Sequence, residues 1–230
     1  MVRFHYPLPP INIRMTYNLN IPGWMSEPDL LVLNKLASYV PENGSILEVG
    51  CFVGRATSAL YSGKPTSATL EVIDKFTVEK GYVNMIDDLT LDGESFYHKL
   101  KSQKLSQGTG SWLEAFKFCM TPEIFNQLVV NVTNSRDYKI TKHFDMVFID
   151  ANHNEDEVIY DIKKYSTENT LLVGDDFVNK HRGIVNALVS VRKKIPRTIL
   201  VPEDSKIWIM VPTSGYWKDV FQKNISNILF

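Results

Sequence analysis

Short apolar runs that close on a carboxylate recur along this 230-residue chain, and they limit its fold more than any other feature. The first is Ser45-Ile46-Leu47-Glu48-Val49, followed by the turn Gly50-Cys51-Phe52-Val53-Gly54 and by Arg55-Ala56-Thr57 opening a helix. The others run from Thr69 to Asp74, from Phe144 to Asp150, and from Thr170 to the pair Asp175-Asp176. Short, nearly continuous apolar runs suit parallel strands covered on both faces. Strands alternating with helical patterns imply an α/β, Rossmann-like doubly wound sheet with helices on both sides. Ligands of such sheets bind beyond the carboxyl ends of the strands. Glu48, Asp74, Asp150, Asp175 and Asp176 are therefore expected to share one functional edge.

The remaining pattern fits one large domain with terminal additions. Residues 1–25 hold Pro7, Pro9 and Pro10, which remove backbone donors, and they read as an N-terminal arm or a lid in which Tyr17, Trp24 and Met25 cover a ligand. Residues 26–215 form the domain proper. Ser26 suits a helix N-cap, and Leu30, Leu33, Leu36, Ala37 and Val40 follow at helical spacing. Further helices are predicted over about 54–61, 155–165 and 182–195, a third strand over 129–133, and an antiparallel hairpin pair over 198–201 and 207–211. Residues 75–127 are too long for a plain crossover and read as a partly disordered or substrate-covering insertion with an amphipathic run at Trp112–Met120. A C-terminal helix is predicted over 216–230.

Several chemistries follow from residue type and position. Gly50 permits a tight turn, Gly54 a close approach at a helix start, and a helix N-terminus attracts polar or anionic groups. An acid at Asp74 can accept hydrogen bonds from a ribose diol. Asp150, Asp175 and Asp176 on adjacent strands repel one another, so their pKa values shift or a cation neutralises them. Oxygen-only ligation suits a hard ion such as Mg²⁺. His153 can serve as a general base, as a metal or cofactor contact, or as a surface residue. His181 follows the aspartate pair in a loop from which it could reach substrate, and reads first as a loop-surface residue. Cys51 reads as a small turn residue rather than a nucleophile. The net charge of −1 gives no bulk attraction to nucleic acid or to an anionic membrane. No run approaches the ~20 apolar residues of a membrane span. The two cysteines make no metal spacing and no disulfide framework, and Met1–Pro7 lacks a signal-peptide core, so a cytoplasmic location is expected.

Glu48–Thr57, with Ile21–Glu27 ahead of it, resembles the class I S-adenosylmethionine-dependent methyltransferases, and more closely their macrocin O-methyltransferase-like and cephalosporin-hydroxylase-like subgroup. Phe144–His153, Leu171–Asp176 and His181–Val185 resemble later segments of that subgroup, so the likeness covers roughly residues 21–75 and 128–211. It implies a seven-stranded sheet of order 3-2-1-4-5-7-6 with the last strand antiparallel. It also implies that Glu48 and the turn of Gly50, Cys51, Phe52 and Gly54 hold the methionine part of S-adenosyl-L-methionine. Asp74 would bind the ribose, Ser135 would lie beside the adenine, and Asp150 would contact both cofactor and metal. Asp150, Asp175 and Asp176 would hold the divalent ion. The chain departs from the pattern at Phe52, where a glycine is common, and at Ala151-Asn152, where Gly-Asp is common before the histidine. The expected activity is methyl transfer to a small hydroxylated acceptor, with His153 as base, Asp150 assisting, and Mg²⁺ activating the hydroxyl. A NAD-dependent oxidoreductase is the rival enzyme, although the G-x-G-x-x-G pattern is missing. An inactive cofactor-binding scaffold is the rival without turnover. The acceptor's identity and a homo-oligomer formed by exchanging the aromatic arm are left open.

Overall fold

The structure, a computed structural model, describes residues 17–77, 90–91, 94–95 and 112–229. Seven strands form its sheet: β1 (Ser45–Val49), β2 (Thr69–Asp74), β3 (Leu128–Val132), β4 (Met146–Ile149), β5 (Leu171–Gly174), β6 (Thr198–Leu200) and β7 (Trp208–Val211). Their order is β3-β2-β1-β4-β5-β7-β6. The first five are parallel, and β7 runs antiparallel to both neighbours. The expected order and the reversed last strand are both present. Within the insertion, Thr90–Leu91 pairs antiparallel with Glu94–Ser95. The expectation of a partly disordered or substrate-covering insertion falls mostly on residues 78–89, 92–93 and 96–111, which lie outside the described residues.

Alternation along each strand divides the core in two. Ile46, Leu70, Val72, Met146, Phe148 and Val173 face one side, where they join α1 (Glu27–Ser38), α2 (Arg55–Gly63), α3 (Leu113–Cys119) and the C-terminal helix (Gly215–Leu229). The short α4 (Pro122–Phe125) leads from α3 into β3. Leu47, Val49, Ile73, Val147, Ile149 and Leu172 face the other side, against α5 (Glu155–Tyr165) and α6 (Arg182–Arg192). The C-terminal helix is α7. Boundaries expected from periodicity agree closely, α5 to the residue.

Helix α1 begins where its sequence predicts. Ser26 caps it, with Asp29 N–H donating to Ser26 Oγ at 3.4 Å and Ser26 N–H donating to Asp29 Oδ2 at 2.9 Å. Asp29 also reaches across the molecule. Its Oδ1 accepts from Ser205 Oγ at 2.7 Å and from the Lys206 amide at 2.8 Å, which fixes the connection between β6 and β7. That second tie is why an acid fully shielded from solvent is tolerated at the start of this helix.

The described part of the arm is pinned to the domain. Arg55, at the start of α2, donates to the carbonyls of Leu19 at 3.0 Å, Ile21 at 2.8 Å and Met25 at 3.0 Å. Tyr17, Ile21 and Met25 are buried in the core, while Trp24 is 49% exposed. Among the described residues no helix is long and apolar enough to cross a membrane.

Gly174 ends β5 directly opposite Trp208 of β7. A Cβ on Gly174 would lie 2.2 Å from the indole Cζ2, and that ring is only 1% exposed. Gly174→Ala is expected to cost about 1–3 kcal/mol, the usual penalty for overpacking a core. The readout is the urea-unfolding midpoint; an unchanged midpoint would show that the indole yields freely.

Candidate functional site

The turn after β1 is built from backbone that few side chains accept. Gly50 has φ +84°, and a Cβ there would lie 2.4 Å from the Asp150 carbonyl oxygen, so the ends of β1 and β4 touch at this point. Phe52 also sits in the left-handed region, at φ +49°. Asp74 holds this shape. Its Oδ2 accepts from the amides of Cys51 at 2.9 Å and Phe52 at 3.0 Å, and its Oδ1 accepts from the amide of Phe76 at 2.7 Å. A carboxylate offers roughly four lone-pair sites, so about one, on Oδ1, is left for a ribose hydroxyl. The space above Gly54 is filled from the insertion: a Cβ there would meet Met120 Cε at 2.5 Å and Phe116 Cε2 at 3.0 Å. The Phe52 ring packs between Trp24, at 5.5 Å between centroids, and Trp112, at 5.3 Å.

Beneath the turn, Glu48 is fully buried. Thr57 Oγ1 of α2 donates to its Oε2 at 2.7 Å, while Oε1 has no partner among the described residues. Burial pushes its carboxyl up from 4.5 to about 8, opposed by the Thr57 hydrogen bond and reinforced by Asp74. The Cys51 thiol is likewise raised well above its ordinary value, by burial first and by Asp74 and Glu48 after it. A thiol so hard to ionise is no nucleophile, in keeping with its reading as a turn residue.

The pairing of Ile149 with Gly174 brings Asp150 beside Asp175 and Asp176. Asp176 adopts φ +62°, and its amide donates to Asp175 Oδ1 at 2.6 Å. Between the two carboxylates lies Lys206, whose Nζ is 3.3 Å from Asp175 Oδ2 and 3.0 Å from Asp176 Oδ1. His153 Nε2 lies 2.8 Å from Asp176 Oδ2, and His181 Nε2 lies 3.8 Å from the same oxygen. The two imidazoles overlap at 4.3 Å between centroids. A small cleft at this edge is lined by Asp150, Asn152, His153, Val158, Asp175 and Trp208.

These contacts separate the three aspartates electrostatically. Burial, then Asp175 and Asp176, push Asp150 well above the ordinary carboxylate range. Burial raises Asp175 to about 6 although Lys206 opposes it. Burial works against charge on Asp176 too, but the hydrogen bonds from His153 and Lys206 prevail and hold it well below its usual value. Burial also disfavours charging Lys206, and the aspartates outweigh it and raise its pKa. His181 is lowered, burial outweighing the attraction of Asp176.

A divalent ion at Asp150, Asp175 and Asp176 was expected on sequence grounds. Their carboxylate oxygens do lie within 4.8 Å of one another. Lys206 already provides the positive charge, however, and an ion between Asp175 and Asp176 would have to displace its ammonium. Ser135, expected near the adenine, turns its hydroxyl toward Asp161 and lies 3.3 Å from Tyr165 Oη, both on α5.

Lys206, Thr57 and the pairing of His181 with His153 were not recognised in the sequence. Lys206 had a topological signal. Because β7 runs opposite to β5, its leading end meets the carboxyl edge of the parallel strands, and Lys206 lies two residues before Trp208, the partner of Gly174. Thr57 and the contact of His181 with His153 had none, since both depend on how α2 and α6 pack.

No protein-family model matches the chain, and no curated protein matches it. Solved structures do. The chain superposes on a protein from Corynebacterium glutamicum with a TM-score of 0.54 and 10% identity, over 85% of either chain. It superposes on an O-methyltransferase from Bacillus cereus in complex with SAH with a TM-score of 0.50 and 16% identity, over 83% of either chain. A cofactor-bound protein from MTB gives 0.50 and 14%, over 84% of this chain and 83% of that one. At these identities the shared property is the fold, a Rossmann-like seven-stranded sheet.

Glu48 makes stability depend on pH in a definite direction. Its folded value of about 8 exceeds the ordinary 4.5, so its contribution is complete below 4.5 and is lost as pH rises through 8. Glu48→Gln cannot ionise and should remove this loss. In urea unfolding at pH 5 and pH 8, the wild-type protein should lose on the order of 3 kcal/mol more than the variant. Parallel profiles for the two proteins would show that Glu48 does not titrate in this window.

Proposed function

We propose that this chain is an S-adenosylmethionine-dependent methyltransferase that acts on an oxygen of a small hydroxylated molecule. The observation that carries the reading is Glu48 Oε1, a buried acceptor with no partner among the described residues, beneath a turn whose amides Asp74 locks in place. A buried carboxyl oxygen left unmet is costly, and a ligand bearing cationic N–H donors, such as the amino group of the methionine portion, would meet Oε1 and favour the ionised carboxylate. The same fold holds SAH in the Bacillus cereus O-methyltransferase, which favours this cofactor over a nicotinamide. The turn also lacks the glycine spacing that a nicotinamide dinucleotide requires.

The cofactor supplies a methyl group already activated on a sulfonium. What this chain must add is alignment of the acceptor oxygen and removal of its proton. His153 suits the second task. Its Nε2 is held by Asp176 at 2.8 Å, which orients the ring, so Nδ1 is the nitrogen left to accept the proton. Lys206 keeps Asp176 ionised for that role. Asp150 stands where the β1 turn meets the acid edge, between the proposed cofactor and acceptor positions. Phe52, with Trp24 and Trp112, forms an aromatic flank to the cofactor turn.

Magnesium at Asp150, Asp175 and Asp176 is the second reading, supported by the proximity of three carboxylate oxygens. It requires Lys206 to leave Asp175 and Asp176, and no step above depends on it. An excess of chelator separates the two readings: turnover should persist if Lys206 balances the edge, and cease if magnesium does.

Calorimetry should find SAH binding and no NAD binding. Tight binding of NAD alone would replace this reading with that of an oxidoreductase. In a labelled-methyl assay over a library of hydroxylated acceptors, His153→Gln should lower kcat by about 10²–10⁴, the usual contribution of a general base, with SAH affinity unchanged. An equal loss of SAH affinity would place His153 in cofactor binding instead. Cofactor binding without turnover on any acceptor would favour the scaffold.

A further inference from the structure

We propose that His153, His181 and Asp176 form a binding site for one divalent ion of borderline softness, Zn²⁺ or Co²⁺ rather than Mg²⁺. The two oxygens of Asp176 are committed differently. Oδ1 accepts the Lys206 ammonium at 3.0 Å, while Oδ2 faces His153 Nε2 at 2.8 Å and His181 Nε2 at 3.8 Å. Lys206 therefore competes with a metal among the three aspartates, whereas on the histidine side of Asp176 a metal would take the place of the proton shared with His153. The three donor atoms lie within 4.8 Å of one another. Metal–ligand bonds of about 2.0–2.2 Å put neighbouring donors roughly 3.0–3.5 Å apart, a range that the 2.8 Å and 3.8 Å spacings from Asp176 to the two imidazoles bracket.

The surroundings position each ligand. Asp176 is turned toward the imidazoles by its left-handed backbone, φ +62°, and its amide is tied to Asp175 Oδ1. The first turn of α6 packs so closely on His153 that a Cβ on Gly183 would lie 2.1 Å from the His153 carbonyl oxygen, and this contact sets His181 over the His153 ring. The side chains are reachable from solvent, at 39% exposure for His153, 24% for His181 and 17% for Asp176. Two imidazoles and one carboxylate suit zinc and the later first-row ions, whereas magnesium prefers oxygen alone. Three protein ligands would leave a position open for a small oxygen ligand.

The site rests on side-chain geometry and not on the methyl-transfer reading. Because a metal-bound His153 is not a free base, the test reads binding rather than turnover. Co²⁺ and Zn²⁺ are titrated into the full chain by calorimetry, and Co²⁺ also by its visible absorption. One saturable equivalent is expected, with bands characteristic of nitrogen ligation, displaced by Zn²⁺ and not by excess Mg²⁺. His153→Ala, His181→Ala and the bulkier His181→Gln should each weaken Co²⁺ by at least ~10-fold, the smallest effect usual even for residues behind the ligands. Asp150→Asn should bind as the wild-type chain does, and circular dichroism checks that every variant is folded. The absence of a saturable site in the wild-type chain overturns the proposal. Unchanged affinity in folded histidine variants also overturns it, as does a loss confined to Asp150→Asn, which would put the ion among the carboxylates.

Discussion

Asp175 and Asp176 are adjacent acids at the end of a buried strand, and they sit together because the ammonium of Lys206 lies between them. Without it, two carboxylates in poorly solvated surroundings would repel each other and both would be pushed toward the neutral acid. With it, Asp176 stays charged and can orient His153, while Asp175 is spent on holding the turn through the Asp176 amide. Lys206 is itself held from outside the edge. Asp29, the acid that completes the cap of α1, binds the Lys206 amide and the neighbouring Ser205 hydroxyl. A helix cap near the start of the chain and a charge balance near its end are thus one connected structure.

The carboxylates along this edge have different tasks because their partners differ. Asp74 is almost saturated by three backbone amides, so its main work is to hold the shape of the turn. Glu48 has the opposite condition: one oxygen is met by Thr57, and the other is buried and unmet among the described residues. That contrast distinguishes a structural acid from a ligand-seeking one more sharply than position at a strand end does. The same test applied to Asp176 finds one oxygen given to Lys206 and the other given to two imidazoles.

Much of the fold was legible in the sequence because parallel strands with both faces covered must be apolar throughout and must be linked by amphipathic helices. The apolar runs located β1, β2, β4 and β5, and Ser26 with Asp29 marked the start of α1. The strand order came from the resemblance. Pattern could not reveal the use of Gly54, whose missing side chain makes room for Met120 and Phe116 of a segment that the resemblance left unassigned. Phe52 was seen as a departure from a glycine turn, but its packing between Trp24 and Trp112 joins residues from both sides of the turn that no local pattern links.

The sequence by itself placed five acids at or near the carboxyl ends of apolar strands, since apolar runs and the residues that close them are local properties. Only the tertiary structure decided what each acid does. The reversal of β7 carries Lys206 to the aspartates, and the packing of α6 on the loop after β4 lays His181 against His153. Both are contacts between distant segments, and their geometry is set by helix and sheet packing rather than by residue order.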